Sequence, residues 1–165
     1  MMNSREAIEV ARLVEVLGRV EGRKRLQKIV YLIREKGFTQ FRQRFVLHYF
    51  GPFSRELASQ IDLVSSAGLV LEEKLDGETY AYSVTPDGRG RIRQLGLNSQ
   101  TPWRVFATLL NSQETGFLEA LATVVFLQKA KVSEASLAKE FARIKPALKK
   151  HFASARRFAA EESLT

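Results

Sequence analysis

The Asp76-Gly77 pair lies between two short runs, Leu69 to Lys74 and Thr79 to Val84, that carry Val, Thr and Tyr residues suited to strands. Asp-Gly takes the positive φ angles of a tight turn at little cost, so the pair closes a β-hairpin. What stands before this hairpin is helical in period, and that order limits the folds open to the chain.

Val10, Leu13, Val14 and Leu17 recur at helical spacing after a cap at Asn3 or Ser4, and Gly18 and Gly22 loosen the end of this first helix. A second helix is expected from about Arg23 to Lys36, with Leu26, Ile29, Val30 and Ile33 as its apolar stripe and Gly37 at its end. The segment RFVLHYFGPFS reads as one short extended stretch, broken at Gly51-Pro52. Ser54 then caps a third helix, about Arg55 to Ser66, which turns Leu57, Ile61 and Val64 inward and closes at Gly68. Beyond the hairpin, Thr85 caps a helix beginning with Pro86. Three helices and then a hairpin is the order of a winged helix-turn-helix, whose third helix can lie in a DNA groove while the hairpin touches the backbone beside it.

From Trp103 the sequence reads as helix throughout, with Ser112 and Ser133 as caps and Pro146 opening the last segment. Leu137, Phe141, Ile144, Leu148 and Phe152 keep a spacing of three to four across that proline. Phe117, Leu118, Leu121, Val124, Val125 and Leu127 cover more than one face, which fits either a central helix or a dimer contact. The expected fold class is therefore mainly α with a small β-hairpin. A winged helix-turn-helix domain spans residues 1–96, and a C-terminal helical subdomain, residues 97–165, packs on it or mediates dimerisation. Leu97 to Thr101 is the only candidate joint.

The absence of cysteine removes disulfides, thiolate zinc sites and cysteine nucleophiles together. The opening MMNSREAIEVARL carries charge where a secretory signal needs an apolar run, so a cytoplasmic location is expected. The most apolar stretch, Gly116 to Leu127, contains Glu119 and falls short of the roughly 18 to 20 residues a membrane span needs. There is no H-E-x-x-H, no G-x-S-x-G and no phosphate-binding glycine loop; Gly88-Arg89-Gly90-Arg91 lacks the length and the lysine. His48 and His151 have no partner at metal or catalytic spacing, and Ser54 is better read as a cap than as a nucleophile. No enzyme, cofactor or metal site is expected.

The formal charge of +8 makes a polyanionic partner worth weighing. Residues 1–50 carry 11 basic and 5 acidic groups, residues 51–100 carry 5 and 7, and residues 101–165 carry 10 and 6. Positive charge thus sits at the two ends. Arg23, Lys24, Arg25 and Lys28 crowd the first turns of the second helix, where the helix dipole disfavours cations by about 0.3–1 kcal/mol each, so something has to compensate them. They form either a phosphate-contacting patch or a solvated corner balanced by Glu21. On the third helix, Arg55, Ser59, Asp62 and Ser66 share an exposed side with Gln60 nearby, and Arg and Gln can read base edges. Glu72, Glu73, Asp76 and Glu78 oppose only Lys74 around the hairpin tip, which argues against a wing that enters a minor groove. Arg89, Arg91 and Arg93 offer either phosphate contacts or a solvated face. Lys145, Lys149, Lys150, His151, Arg156 and Arg157 border the last apolar stripe as snorkelling cations or a further basic surface.

Two resemblances add to this reading. Gly68-Leu69-Val70, followed by Tyr82-Ser83-Val84-Thr85-Pro86-Asp87-Gly88-Arg89, resembles the hairpin signature of winged-helix regulators of the MarR and PadR type. Arg25-Leu26-Gln27-Lys28-Ile29-Val30-Tyr31-Leu32, then Phe50-Gly51-Pro52-Phe53-Ser54 with Leu57, then Gly68-Leu69-Val70, resembles the YwgA-like family. Phe117 to Thr123 and Ile144-Lys145-Pro146 look like a later part of the same pattern. More distantly the chain is similar to Panacea antitoxin domains, which share the L-Q-K motif and a later Gly-Pro. The first resemblance implies a winged-helix transcription regulator bound to double-stranded DNA, and the charge pattern and exposed helix face described above would place its contacts at Arg23, Lys24, Arg25, Lys28, Arg55, Ser59, Gln60, Arg89 and Arg91. The Panacea resemblance implies a module that holds a protein partner such as a toxin. A homodimer through the C-terminal helices is compatible with both.

Overall fold

The computed structural model describes residues 4–49, 51–97 and 101–165. The alternative cap Asn3, Phe50 and residues 98–100 of the candidate joint lie outside the described residues. Mainly α structure with small antiparallel sheets is what the chain adopts. Helices α1 (Ser4–Leu17) and α2 (Arg23–Glu35) bury the expected stripes, Val10, Leu13 and Val14 on one and Leu26, Ile29, Val30 and Ile33 on the other. Between them the chain does more than fray: Val20–Glu21 forms strand β1. Val20 is fully buried, and Gly22 beside it takes φ 108°, a value that favours glycine, as the chain swings into α2.

The single extended stretch expected around Gly51 is in fact two strands, β2 (Val46–His48) and β3 (Gly51–Phe53), paired antiparallel with His48 opposite Gly51. Gly51 marks the start of the returning strand, at φ 91°. Helix α3 (Arg55–Ser66) follows, capped as expected by Ser54, whose Oγ accepts from Leu57 N at 3.2 Å. Ser54 is fully buried, so Ser54→Ala is expected to cost about 1 kcal/mol, read as a lower urea midpoint at unchanged slope.

Strands β4 (Val70–Lys74) and β5 (Tyr80–Val84) form the hairpin, and β1 adds to the far side of β5, giving the order β1-β5-β4. In this register Tyr82 stands opposite both Val20 and Glu72. Helix α4 (Pro86–Gln94) starts on the predicted cap, Gly88 N donating to Thr85 Oγ1 at 3.0 Å.

Helices α5 (Arg104–Asn111), α6 (Thr115–Lys129), α7 (Glu134–Ile144) and α8 (Phe152–Glu161) complete the chain, with a tight 3₁₀ turn at Pro146–His151. Ser112 ends α5 rather than starting α6, whose cap position is Glu114, and Ser133 precedes α7 without a side-chain cap bond. Helix α6 is the central helix: Leu118, Leu121, Val124, Val125 and Leu127 are all buried, and it packs against α2, β3, α7, α8 and the 3₁₀ turn. One apolar cluster joins these helices to α1, α2 and β5. The stripe across Pro146 folds back on itself, stacking Phe141 on Phe152 with ring centroids 5.0 Å apart. Among the described residues no helix is long and apolar enough to cross a membrane.

Candidate functional site

The basic corner of α2 is where chemistry concentrates, and its first residue shows how. Because β1 pairs with β5, Arg23 begins α2 beside Tyr82. Its Nε donates to Tyr82 Oη at 2.9 Å and its Nη2 to Glu72 Oε2 at 3.0 Å. Nη2 also donates to Asp62 Oδ1, across from α3. Tyr82 Oη in turn donates to Glu72 Oε2 at 2.7 Å. Burial alone lowers the guanidinium pKa, but the bonds to Asp62, Glu72 and Tyr82 outweigh it and raise the value. The Tyr82 phenol is pushed up by burial and by its bond to Glu72. The compensation a cation at a helix N-terminus needs therefore comes from two carboxylates of the chain itself. One is on the third helix and one on the hairpin.

The other members of the cluster diverge. Arg25 reaches toward α5 and α6, donating to Asn111 O at 3.0 Å, Gln113 O at 2.8 Å and Thr115 Oγ1 at 2.9 Å. Burial lowers its pKa, against the pull of Glu21. Lys24 is exposed. Lys28 is only 3% exposed, and its Nζ donates to Pro52 O at 3.0 Å. Burial holds this amine down at about 8, opposed by Glu119 and assisted by Lys145 and Lys24. The four residues do not make one patch, and for Lys28 neither the phosphate contact nor the solvated corner fits a side chain inside the protein.

Lys28 belongs instead to a latch that fixes the β2–β3 hairpin. Gln27, one residue earlier, donates from Nε2 to Ser54 O and accepts from Ser54 N, both at 2.9 Å. A Cβ on Gly51 would come within 3.1 Å of Thr123 Oγ1 and 3.3 Å of Lys28 Cε, so the hairpin sits against α2 and α6 as closely as its glycine allows. From the other side Lys145, 5% exposed, donates to Glu119 Oε1 at 2.8 Å and to Tyr49 O. Tyr31 closes the group by packing on Phe45 at 5.1 Å.

On α3, Arg55, Ser59, Asp62 and Ser66 are exposed as expected. Gln60 is not: it is 2% exposed, accepting from Gln43 Nε2 at 2.7 Å and donating to Glu6 Oε2 at 3.3 Å. It faces the adjoining core because the helix period carries it to the side of Leu57 and Ile61, away from Ser59. Arg89 and Arg91 are exposed on α4, bonded locally to Val84 O at 3.1 Å and Gln94 Oε1 at 3.3 Å. At the C-terminus Lys145 is buried, while Lys149, Lys150, Arg156 and Arg157 lie on the surface.

Over 124 residues the chain is 32% identical to the uncharacterized protein YwgA of Bacillus subtilis strain 168, a match that covers 72% of this chain and 74% of that protein. The chain belongs to the YwgA family. No family model matches it. In this YwgA-family chain the two motifs that carry the resemblance, Gln27-Lys28 and Gly51-Pro52-Phe53-Ser54, are halves of one hydrogen-bonded unit. Asp62 on the exposed side of α3, Glu72 near the hairpin tip, Tyr82 in the hairpin signature, Glu119 in the apolar stretch and Lys145 beside the last stripe all prove to be site residues, and nothing in the sequence marks any of them as a partner of the basic cluster. The one local signal was the stranded charge of Arg23 and its neighbours at a helix start, which demanded partners without naming them.

Proposed function

We propose that this YwgA-family chain is a protein-interaction module on a winged-helix scaffold, an antitoxin or adaptor of the kind the Panacea resemblance implies. The observation that carries this reading is the pairing of Arg23 with Asp62 and Glu72. In a winged helix that reads DNA, the third helix and the wing turn positive charge toward phosphate. Here those two elements supply carboxylates to the basic helix, so the charges are spent on one another.

A surface suited to a protein partner lies alongside. From Phe41 to His48 the chain alternates, with Phe41 and Gln43 buried, Phe45 and Leu47 half-buried, and Arg42, Arg44, Val46 and His48 turned out. Val46 is 61% and Tyr49 86% exposed. Among the described residues β2 is paired on one side only. An open strand edge with apolar and basic side chains accepts an extended segment carrying apolar and acidic ones.

The exposed Arg55, Ser59, Arg89 and Arg91 favour a second reading, a transcription regulator that grips duplex DNA by its backbone. One pair of measurements separates the two. On the interaction reading, a mixed-sequence duplex is not bound at about 0.15 M salt, and co-expression with the product of an adjacent gene yields a complex that survives about 0.5 M salt. That complex is lost on Val46→Asp with Tyr49→Asp. Duplex binding with a steep salt dependence, abolished by neutralising Arg55, Arg89 and Arg91, overturns it in favour of the regulator.

A further inference from the structure

Between the start of α2, the face of α3 and the β2–β3 hairpin is a cavity of about 270 Å³, lined by Arg23, Lys24, Gln27, Lys28, His48, Phe53, Ala58 and Ile61. Its apolar part comes from Phe53, Ala58 and Ile61, with the His48 ring lying 5.3 Å from that of Phe53. Its size falls just under the roughly 300–1,000 Å³ usual for small-molecule sites, which limits an occupant to about one ring and a polar group.

Lys28 gives the cavity its chemistry. Its amine is almost wholly buried, its hydrogen-bond acceptor is the neutral carbonyl of Pro52, and among the described residues no carboxylate lies within ion-pair distance of it. The charged groups that face it are Lys24 on its own helix, Lys145 beyond α7 and Glu119 on α6. Glu119 is already engaged with Lys145 at 2.8 Å. Arg23 and His48 also line the cavity, Arg23 being paired with Asp62 and Glu72. A buried ammonium without a counterion is costly, and an anion placed beside it removes that cost.

We propose that this cavity binds a small monocarboxylate with an apolar body, its carboxylate against the Lys28 ammonium and its body against Phe53, Ala58 and Ile61. The site stands whether the chain's macromolecular partner is protein or DNA. Binding draws a proton onto Lys28, so affinity weakens as pH rises from 7 to 9, past the value of about 8 to which burial holds this amine in the folded chain.

The test uses the full chain with benzoate as probe and benzamide as its neutral isostere, followed by amide-resolved NMR and calorimetry. Benzoate is expected to shift the resonances of Phe53, Ala58 and Ile61. Benzamide should bind at least about tenfold more weakly, a difference of roughly 1.4 kcal/mol. Lys28→Met, which keeps the apolar stem, should abolish the difference between the two probes and the pH dependence with it. Ile61→Phe, which fills the cavity floor and keeps the amine, should block both probes. Equal affinity for benzoate and benzamide, or benzoate binding unchanged in Lys28→Met, overturns the proposal. So does a shift map centred away from the cavity, and the comparison of the two probes on the unaltered chain decides even if a variant fails to fold.

Discussion

Gly88→Ala is expected to destabilise the protein by about 3 kcal/mol, the upper end of what overpacking costs. A Cβ on Gly88 would stand 2.1 Å from Leu69 O, 3.0 Å from Leu69 C and 2.8 Å from Val84 Cγ1. The carbonyl cannot step aside cheaply, because it accepts from Thr85 N and from Thr85 Oγ1, both at 3.1 Å, and Thr85 Oγ1 is also the acceptor that caps α4. The clash therefore strains the start of β4 and the start of α4 together. Two residues on, a Cβ at Gly90 would meet nothing within 4 Å, so Gly90→Ala should be neutral or stabilising by up to about 1 kcal/mol from helix propensity alone. Urea unfolding of the two variants gives opposite signs from the same helix. An unchanged Gly88→Ala midpoint would refute the close seating of α4 on the hairpin.

Glu119→Ala should cost about as much, roughly 3 kcal/mol, by a different route. It strips the ion-pair partner from Lys145, whose side chain is 5% exposed, and removes a carboxylate that supports the charge on Lys28. Among the described residues, two buried ammonium groups then keep hydrogen bonds to the carbonyls of Tyr49 and Pro52 alone. The sign of the pH dependence follows from Lys28. Its folded value lies below that of the free amine, so the folded state binds fewer protons than the unfolded one above pH 8, and stability rises with pH there. A neutral amine needs no counterion, so the deficit of Glu119→Ala should shrink between pH 8 and pH 10. Chemical denaturation across that range measures it. A loss below about 1 kcal/mol at pH 7, or one that grows with pH, would mean that the cluster is solvated.

Ser54 and Thr85 declared their helices because a cap acts within three residues of its own position. Asp76-Gly77 declared the hairpin for the same local reason, and the width of the apolar face on α6 pointed to the middle of the fold. Strand β1 is illegible because two residues carry no period, and the pairing of Val20 with Tyr82 is made across 62 positions of chain. The site fared likewise. Arg23 is visible as a charge needing a partner, but Asp62 and Glu72 lie 39 and 49 residues away, and nothing local singles them out from the other acids. Residue type alone places Lys28 and Lys145 at the surface, although both sit against backbone carbonyls of the hairpin around Gly51. Burial of a lysine is a tertiary fact, and only the helical register of Leu26, Ile29 and Val30 hinted at how close Lys28 stood to the core.

Arg23 is neutralised from within by Asp62 and Glu72, and duplex-DNA affinity in a low-salt titration tests that most directly. The unaltered chain is compared with Asp62→Asn/Glu72→Gln, and with Arg23→Gln added to that pair. Freeing Arg23 should strengthen binding to a mixed-sequence duplex several-fold and steepen the slope of log K against log salt by roughly one unit, the weight of one further phosphate contact. Arg23→Gln on that background should remove both changes. If the unaltered chain already binds with a steep slope that Arg23→Gln alone flattens, Arg23 faces phosphate in solution and the internal neutralisation is contradicted.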